Sequence, residues 1–320
     1  MKSAALALLC STLFASLAGR LQAADWEPLP PLPEPNGGFV CCTAAGKISI
    51  LGGTNWNGGV KNWLKAFHEC DPSVMRWTHV RDLVSPVAYG LSVQNEPAVE
   101  FLGGSDGKAP IRKLLVVNPV ETIALEGLEL PSAVVLSAGG MVGENIVFAG
   151  GTDDAANISG VTNKTFEITR EGVRERAVYP GKPFAVAASA VVGDELFVFG
   201  GMNYVESTKD VVNSAEAHAF SPAKNAWRKL QPLPAAARGM SAVALDAQHI
   251  YLAGGYTSDF TADALIYDVK SDKYIKAKPL PYAAMVALVK LDGFLYCLGG
   301  EDRKQSRTNK FFRIPLKDLR

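Results

Sequence analysis

Glu301 and Arg307 lie six residues apart in a polar loop, Glu-Asp-Arg-Lys-Gln-Ser-Arg-Thr, that opens directly behind Gly299-Gly300. A carboxylate transfers protons efficiently when its pKa lies near the working pH. A guanidinium fork binds both oxygens of a planar anion. Further polar and aromatic side chains occupy equivalent places: Thr54-Asn55-Trp56, Ser105-Asp106, Thr152-Asp153, Met202-Asn203-Tyr204 and Tyr256 each follow a Gly-Gly pair. Tyr89, Arg238 and Tyr282 fall in connections between such units. Each also has a plainer reading. Glu301 suits a solvated turn, Arg307 an exposed cation beside Lys304 and Lys310, and Arg238 a hydrogen bond between neighbouring units.

The elements that must position these residues repeat. Apolar runs end in Gly-Gly at Gly52, Gly103, Gly150, Gly200, Gly254 and Gly299, at steps of 51, 47, 50, 54 and 45 residues. A period of about 50 is that of kelch-type propeller blades. Gly37-Gly38, Gly58-Gly59 and Gly139-Gly140 follow no such run and are set aside as repeat markers. Each repeat reads as a hairpin before the Gly-Gly, as in Ala187–Val192 turning at Gly193-Asp194 into Leu196–Phe199. A third strand follows the loop, and a fourth is often marked by Trp and Leu-Pro, as at Trp77 and Trp227. Six such units make an all-β, six-bladed β-propeller. Lys310–Ile314 supplies a third strand to the last blade but leaves no room for a fourth. Trp26–Pro30 is expected to pair there and close the ring. In this order of strands, every loop behind a Gly-Gly emerges on one face, together with the loops joining one blade to the next. That face gathers carboxylates, amides, phenols and arginines around the axis, as a polar sugar requires.

Composition bounds the function classes. The 320 residues carry 32 basic and 32 acidic side chains, which argues against a nucleic-acid surface. Lys2, an apolar run from Ala4 to Ala18, and the small residues Ala23 and Ala24 read as a cleaved export leader over residues 1–24. A single propeller over 25–320, periplasmic or secreted and free of the membrane, is then expected. Cys41, Cys42, Cys70 and Cys297 lie in strand patterns with no zinc-ligand spacing and read as unpaired, a bridge from Cys41 or Cys42 to Cys297 staying open. His68, His79, His218 and His249 assemble into no Ser/His/Asp, Cys/His or copper-ligand set. Trp56 and Trp63 suit either sugar stacking or anchoring of their loop. Asn157-Ile158-Ser159 and Asn163-Lys164-Thr165 are chance matches to a glycosylation pattern.

The Gly-Gly pairs with downstream Trp and Leu-Pro resemble the kelch family. Three loops carry a narrower likeness: Gly52–Trp63 (GGTNWNGGVKNW), Ala88–Val93 (AYGLSV) with Gly103–Asp106 (GGSD), and Gly299–Arg307. These resemble the bacterial kelch-type N-acetylneuraminate epimerases, more specifically their circularly permuted mutarotase branch. The resemblance spans all six blades loosely and these loops more closely. The last loop departs in lacking a Pro-Gly before its Arg, and the first in being shorter and lacking Phe-Pro. The likeness implies that Glu301 accepts a proton and that Arg307 belongs to the sugar-acid site. Anomer exchange would then need a base at the anomeric hydroxyl and an acid at the ring oxygen. Arg307 and Arg238 compete for the substrate carboxylate, and Asp106 or Tyr89 for the second proton. Asn55, Trp56, Asn203 and Tyr256 would complete the binding surface. No metal or organic cofactor is required, and the partner is a small sugar acid. The alternative is a non-catalytic kelch propeller that binds a glycan or a protein on the same face.

Overall fold

The computed structural model describes residues 25–95, 98–125, 128–130, 134–156 and 158–320. The expected leader and Asn157, the first residue of the Asn157-Ile158-Ser159 triplet, lie outside those residues. Six four-stranded antiparallel sheets make up the propeller. Blade 1 runs Val40–Ala44, Lys47–Leu51, Ala66–Asp71 and Arg76–Asp82 from the axis outwards. Blades 2 to 5 repeat that order over 91–124, 138–176, 188–229 and 241–276. Blade 6 takes Met285–Leu291, Phe294–Glu301 and Phe311–Pro315 from the C-terminal end and Glu27–Pro28 from the N-terminal end. The expected closing strand is therefore present, though only two residues long. Among the described residues, helix is confined to two single turns, Ile158–Gly160 and Leu316–Asp318, neither long and apolar enough to cross a membrane.

Period-two alternation builds the core. In blade 4, Phe197 and Phe199 enter the seam with blade 5, while Leu196 and Val198 enter the seam with blade 3. In blade 6, Leu295 and Cys297 face blade 5, and Tyr296 and Leu298 face blade 1. The second strand of each blade is buried on both faces, so its sequence is nearly continuously apolar. All six seams carry such a cluster. Trp77 packs on Phe311 and Trp227 on Phe220 and Tyr179, which places both tryptophans in the blade packing. Among the described residues, Cys41, Cys42, Cys70 and Cys297 form no disulfide.

The Gly-Gly pairs weld each blade to the next. The second glycine of every pair donates its N–H to a carbonyl in the connection leading into the next blade. These bonds are Gly53 to Val87, Gly104 to Val134, Gly151 to Phe184, Gly201 to Ala237, Gly255 to Ala284 and Gly300 to Asn36, at 2.7–2.9 Å. Both glycines of each pair have positive φ, which L-residues adopt only at a cost. At Gly103 a Cβ would also stand 2.1 Å from the Val134 carbonyl oxygen.

Two features differ from the sequence expectation. The loops behind Gly53 and Gly201 are antiparallel hairpins, Thr54–Asn57 with Val60–Trp63 and Met202–Val205 with Asp210–Asn213. Their polar composition conceals strands held mainly by pairing, with only Thr54, Met202 and Asn203 buried. The first strand of blade 6 is also bulged between Met285 and Ala287.

Candidate functional site

Each blade is entered through a short segment that crosses the axis end of the disc on the Gly-Gly face. In five blades this segment contains one left-handed residue: Gly38 (φ 70°), Tyr89 (62°), Leu136 (57°), Val186 (57°) and Gly239 (65°). Their backbones form a hoop. Tyr89 N–H donates to Gly38 O, Leu136 to Tyr89, Val186 to Leu136, and Gly239 to Val186, at 2.7–3.0 Å. Left-handed geometry is unfavourable for Tyr and Leu and more so for β-branched Val, and such strain clusters at functional sites. Blade 6 contributes no such link among the described residues. Its bulge places Met285 there instead, so the hoop is open on the blade 6 side.

A cavity of about 310 Å³ occupies the middle of this hoop. Glu301 and Arg307 line its open side, and Tyr89 lines it from blade 2. Arg307 Nη1 lies 3.2 Å from Glu301 Oε2 and donates to Ser306 O at 2.7 Å. Arg307 Nη2 reaches the Tyr89 hydroxyl at 3.4 Å. The Arg307 side chain is only 6% exposed and that of Glu301 30%, so Arg307 is no surface cation. Its Nε is buried without an acceptor among the described residues. The guanidinium thus keeps donor capacity at the cavity, since five N–H groups exceed the partners present. The loop is pinned by Ser306, whose hydroxyl donates to Asp302 Oδ1 at 2.8 Å, and by Thr308 N–H donating to Gly300 O at 3.0 Å.

Gly37 and Gly38, which do not mark a repeat, are what make room for this cluster. A Cβ on Gly37 would stand 2.5 Å from Arg307 Cδ, and one on Gly38 would stand 2.4 Å from Tyr89 Cε1. Nothing in an apolar-run criterion could flag them, because their constraint comes from blades 6 and 2.

Known proteins share parts of this chain. The family model described as N-acetylneuraminate epimerase matches residues 128–279. An N-acetylneuraminate epimerase of Yersinia pestis (strain Pestoides F) is 25% identical over 234 residues, which is 61% of this chain and 59% of that protein. One from Pasteurella multocida (strain Pm70) is 28% identical over 148 residues, 45% and 36% of the two chains. Kelch-like protein 35 of Mus musculus is 32% identical over 133 residues, 41% and 21%. The chain is a kelch-type propeller similar to the N-acetylneuraminate epimerases. It spans at most 59% of these three relatives' own lengths, and the segment matched by the family model ends before Glu301.

The remaining candidates of this epimerase-like propeller sit around the cavity without lining it. Arg238 stacks on Tyr256, 4.4 Å from the ring centroid, and Nη1 donates to Asn213 Oδ1 at 2.7 Å. Asn213 in turn holds the Tyr256 and Thr257 carbonyls, so this group straps the second hairpin to blade 5. Asn203 is buried and donates to Pro183 O. Asn55 donates to Glu34 Oε2 and accepts from Asn62. Burial raises the Glu34 pKa, which the Asn55 bond partly offsets. Asp106 caps its own turn by accepting from the amides of Lys108 and Ala109, and those bonds lower its pKa. Trp56 pairs with Lys61 across the first hairpin. Trp63 meets the edge of Tyr89 at 5.7 Å and backs that ring. Tyr282 is buried, donating to Gly299 O. Among the described residues, no three His, Cys, Asp or Glu side chains are grouped as a metal site would need.

Proposed function

We propose that this propeller interconverts the anomers of a sugar acid, N-acetylneuraminate or a close relative, by acid/base ring opening. The observation that carries the reading is the Glu301–Arg307 pair, 3.2 Å apart on the open side of an axial cavity. Arg307 offers unused N–H donors to the substrate carboxylate, while Glu301 is partly exposed where a sugar hydroxyl could meet it. Removal of the proton from the anomeric hydroxyl by Glu301 accompanies protonation of the ring oxygen. The bond between the anomeric carbon and the ring oxygen breaks, leaving an open-chain ketone. Rotation presents the other carbonyl face, and the reverse proton transfers close the second anomer. No atom or electron is gained or lost. The family likeness supports the same reading, and residues 1–24, read from sequence as a cleaved export leader, would place the activity in the periplasm or outside the cell.

A second reading, a propeller that only binds a glycan or a protein, draws on the similarity to Kelch-like protein 35. Proton NMR separates the two. Freshly dissolved α-N-acetylneuraminate should reach anomeric equilibrium faster with the protein than without it, and glucose should not. Line broadening of the sugar at the protein-free rate would support binding without catalysis.

A further inference from the structure

The ring oxygen needs an acid that Glu301, already used at the anomeric hydroxyl, does not supply. We infer that the Tyr89 hydroxyl is that second proton-transfer group, and that the first hairpin is present in the fold to hold it there. This inference rests on the mutarotase reading.

The geometry supports Tyr89 over the other candidate, Asp106. Glu301 and the Tyr89 hydroxyl stand on different terminal nitrogens of one guanidinium, at 3.2 and 3.4 Å. A substrate carboxylate drawn to Arg307 would therefore find a base and an acid flanking it. Asp106 is committed to two turn amides and does not line the cavity. Tyr89 is also held more firmly than packing alone would require. Its backbone is left-handed at φ 62° with both its N–H and C=O engaged in the hoop. Its ring fits the space left by Gly38 and lies against Trp63. Its hydroxyl is 3.2 Å from Thr54 Oγ1. Lys61 Nζ sits 4.7 Å from the centroids of both Tyr89 and Trp63.

The charged groups facing the phenol are thus Lys61 from the hairpin and Arg307 from the blade 6 loop, with Glu301 behind the latter. Burial opposes ionisation of Tyr89, but the Lys61 charge and hydrogen bond, the Thr54 hydroxyl and the Arg307 charge outweigh it and bring the phenol below its ordinary value. A phenol so placed is a stronger acid than free tyrosine, as protonation of a departing ring oxygen demands.

Opening needs Tyr89 protonated, so the rate should fall as pH rises through its pKa. Removing the Lys61 charge by Lys61→Met should raise that pKa and move the alkaline limb of kcat to higher pH. A structural role for Lys61 would lower the rate without moving the limb. Tyr89→Phe should cut kcat by at least about 100-fold, the lower end for general acid catalysis. N-acetylneuraminate binding by that variant, read by saturation-transfer NMR, should change by less than about threefold, well short of the loss in kcat. Asp106→Asn should match wild type. All rates are taken after subtracting the protein-free rate at the same pH. Wild-type turnover in Tyr89→Phe, or an unmoved limb in Lys61→Met, overturns the assignment while leaving the mutarotase reading intact. No acceleration by the wild-type protein overturns both.

Discussion

Arg238 and Arg307 have similar standing in the sequence, each a cation in a connecting loop on the same face. In the folded protein they separate. Arg238 finds the Asn213 oxygen and the Tyr256 ring, while Arg307 enters the axial cavity beside Glu301. The difference could not be read beforehand, because Asn213 belongs to a hairpin that the polar loop composition concealed. The same holds for Gly37, whose missing side chain is defined by an arginine 270 positions away. Gly37 is not left-handed, so Gly37→Ala adds a methyl without backbone strain. That methyl should push Arg307 aside and raise KM for the sugar acid by roughly tenfold, about 1.4 kcal/mol of lost anion binding. Denaturation midpoints should move little. A normal KM in Gly37→Ala would mean that Arg307 does not hold the substrate.

At the scale of the element, the Gly-Gly pairs were legible because their constraint is local and repeated. An apolar strand must stop, turn left-handed and bring its backbone against the next blade, and only glycine does so without a clash. The hairpins at 54–63 and 202–213 were not legible, since short strands rich in Asn and Val, mostly half-buried or exposed, carry no alternation of buried and exposed positions. The two kinds of glycine differ testably. Gly46, at the tip of a hairpin in blade 1, has φ +72° with nothing within 4 Å of a built Cβ. Gly46→Ala should cost about 1 kcal/mol, the left-handed penalty alone. Gly103→Ala adds a collision with the Val134 carbonyl and loosens the hydrogen bond from Gly104, and should cost about 2–4 kcal/mol. Urea titration gives both numbers. Equal costs would refute the view that the pairs weld the seams.

The whole molecule depends on its closure. The closing pairing covers two residues, Glu27 and Pro28, and their backbone bonds alone are a weak clasp. Side chains on either side of that pairing anchor the segment. Trp26 Nε1–H donates to Pro279 O, and Leu32 is buried between blades 6 and 1. Leu32→Ala should therefore destabilise by about 2–5 kcal/mol, as expected for a core cavity, and lower the thermal midpoint of the entire ring. A separate, earlier transition for blade 6 would show that the ring does not unfold as a unit. Closure also matters to the site, because Gly37, Gly38, Glu301 and Arg307 come from opposite ends of the chain and meet only across that seam.

The most direct test of the account compares anomer exchange of α-N-acetylneuraminate by the wild-type protein and by Glu301→Gln, which keeps the shape and removes the base. Acceleration by the wild type and its reduction by at least about 100-fold in the variant, with the sugar still bound, is the result predicted. Equal rates in the two proteins would contradict it.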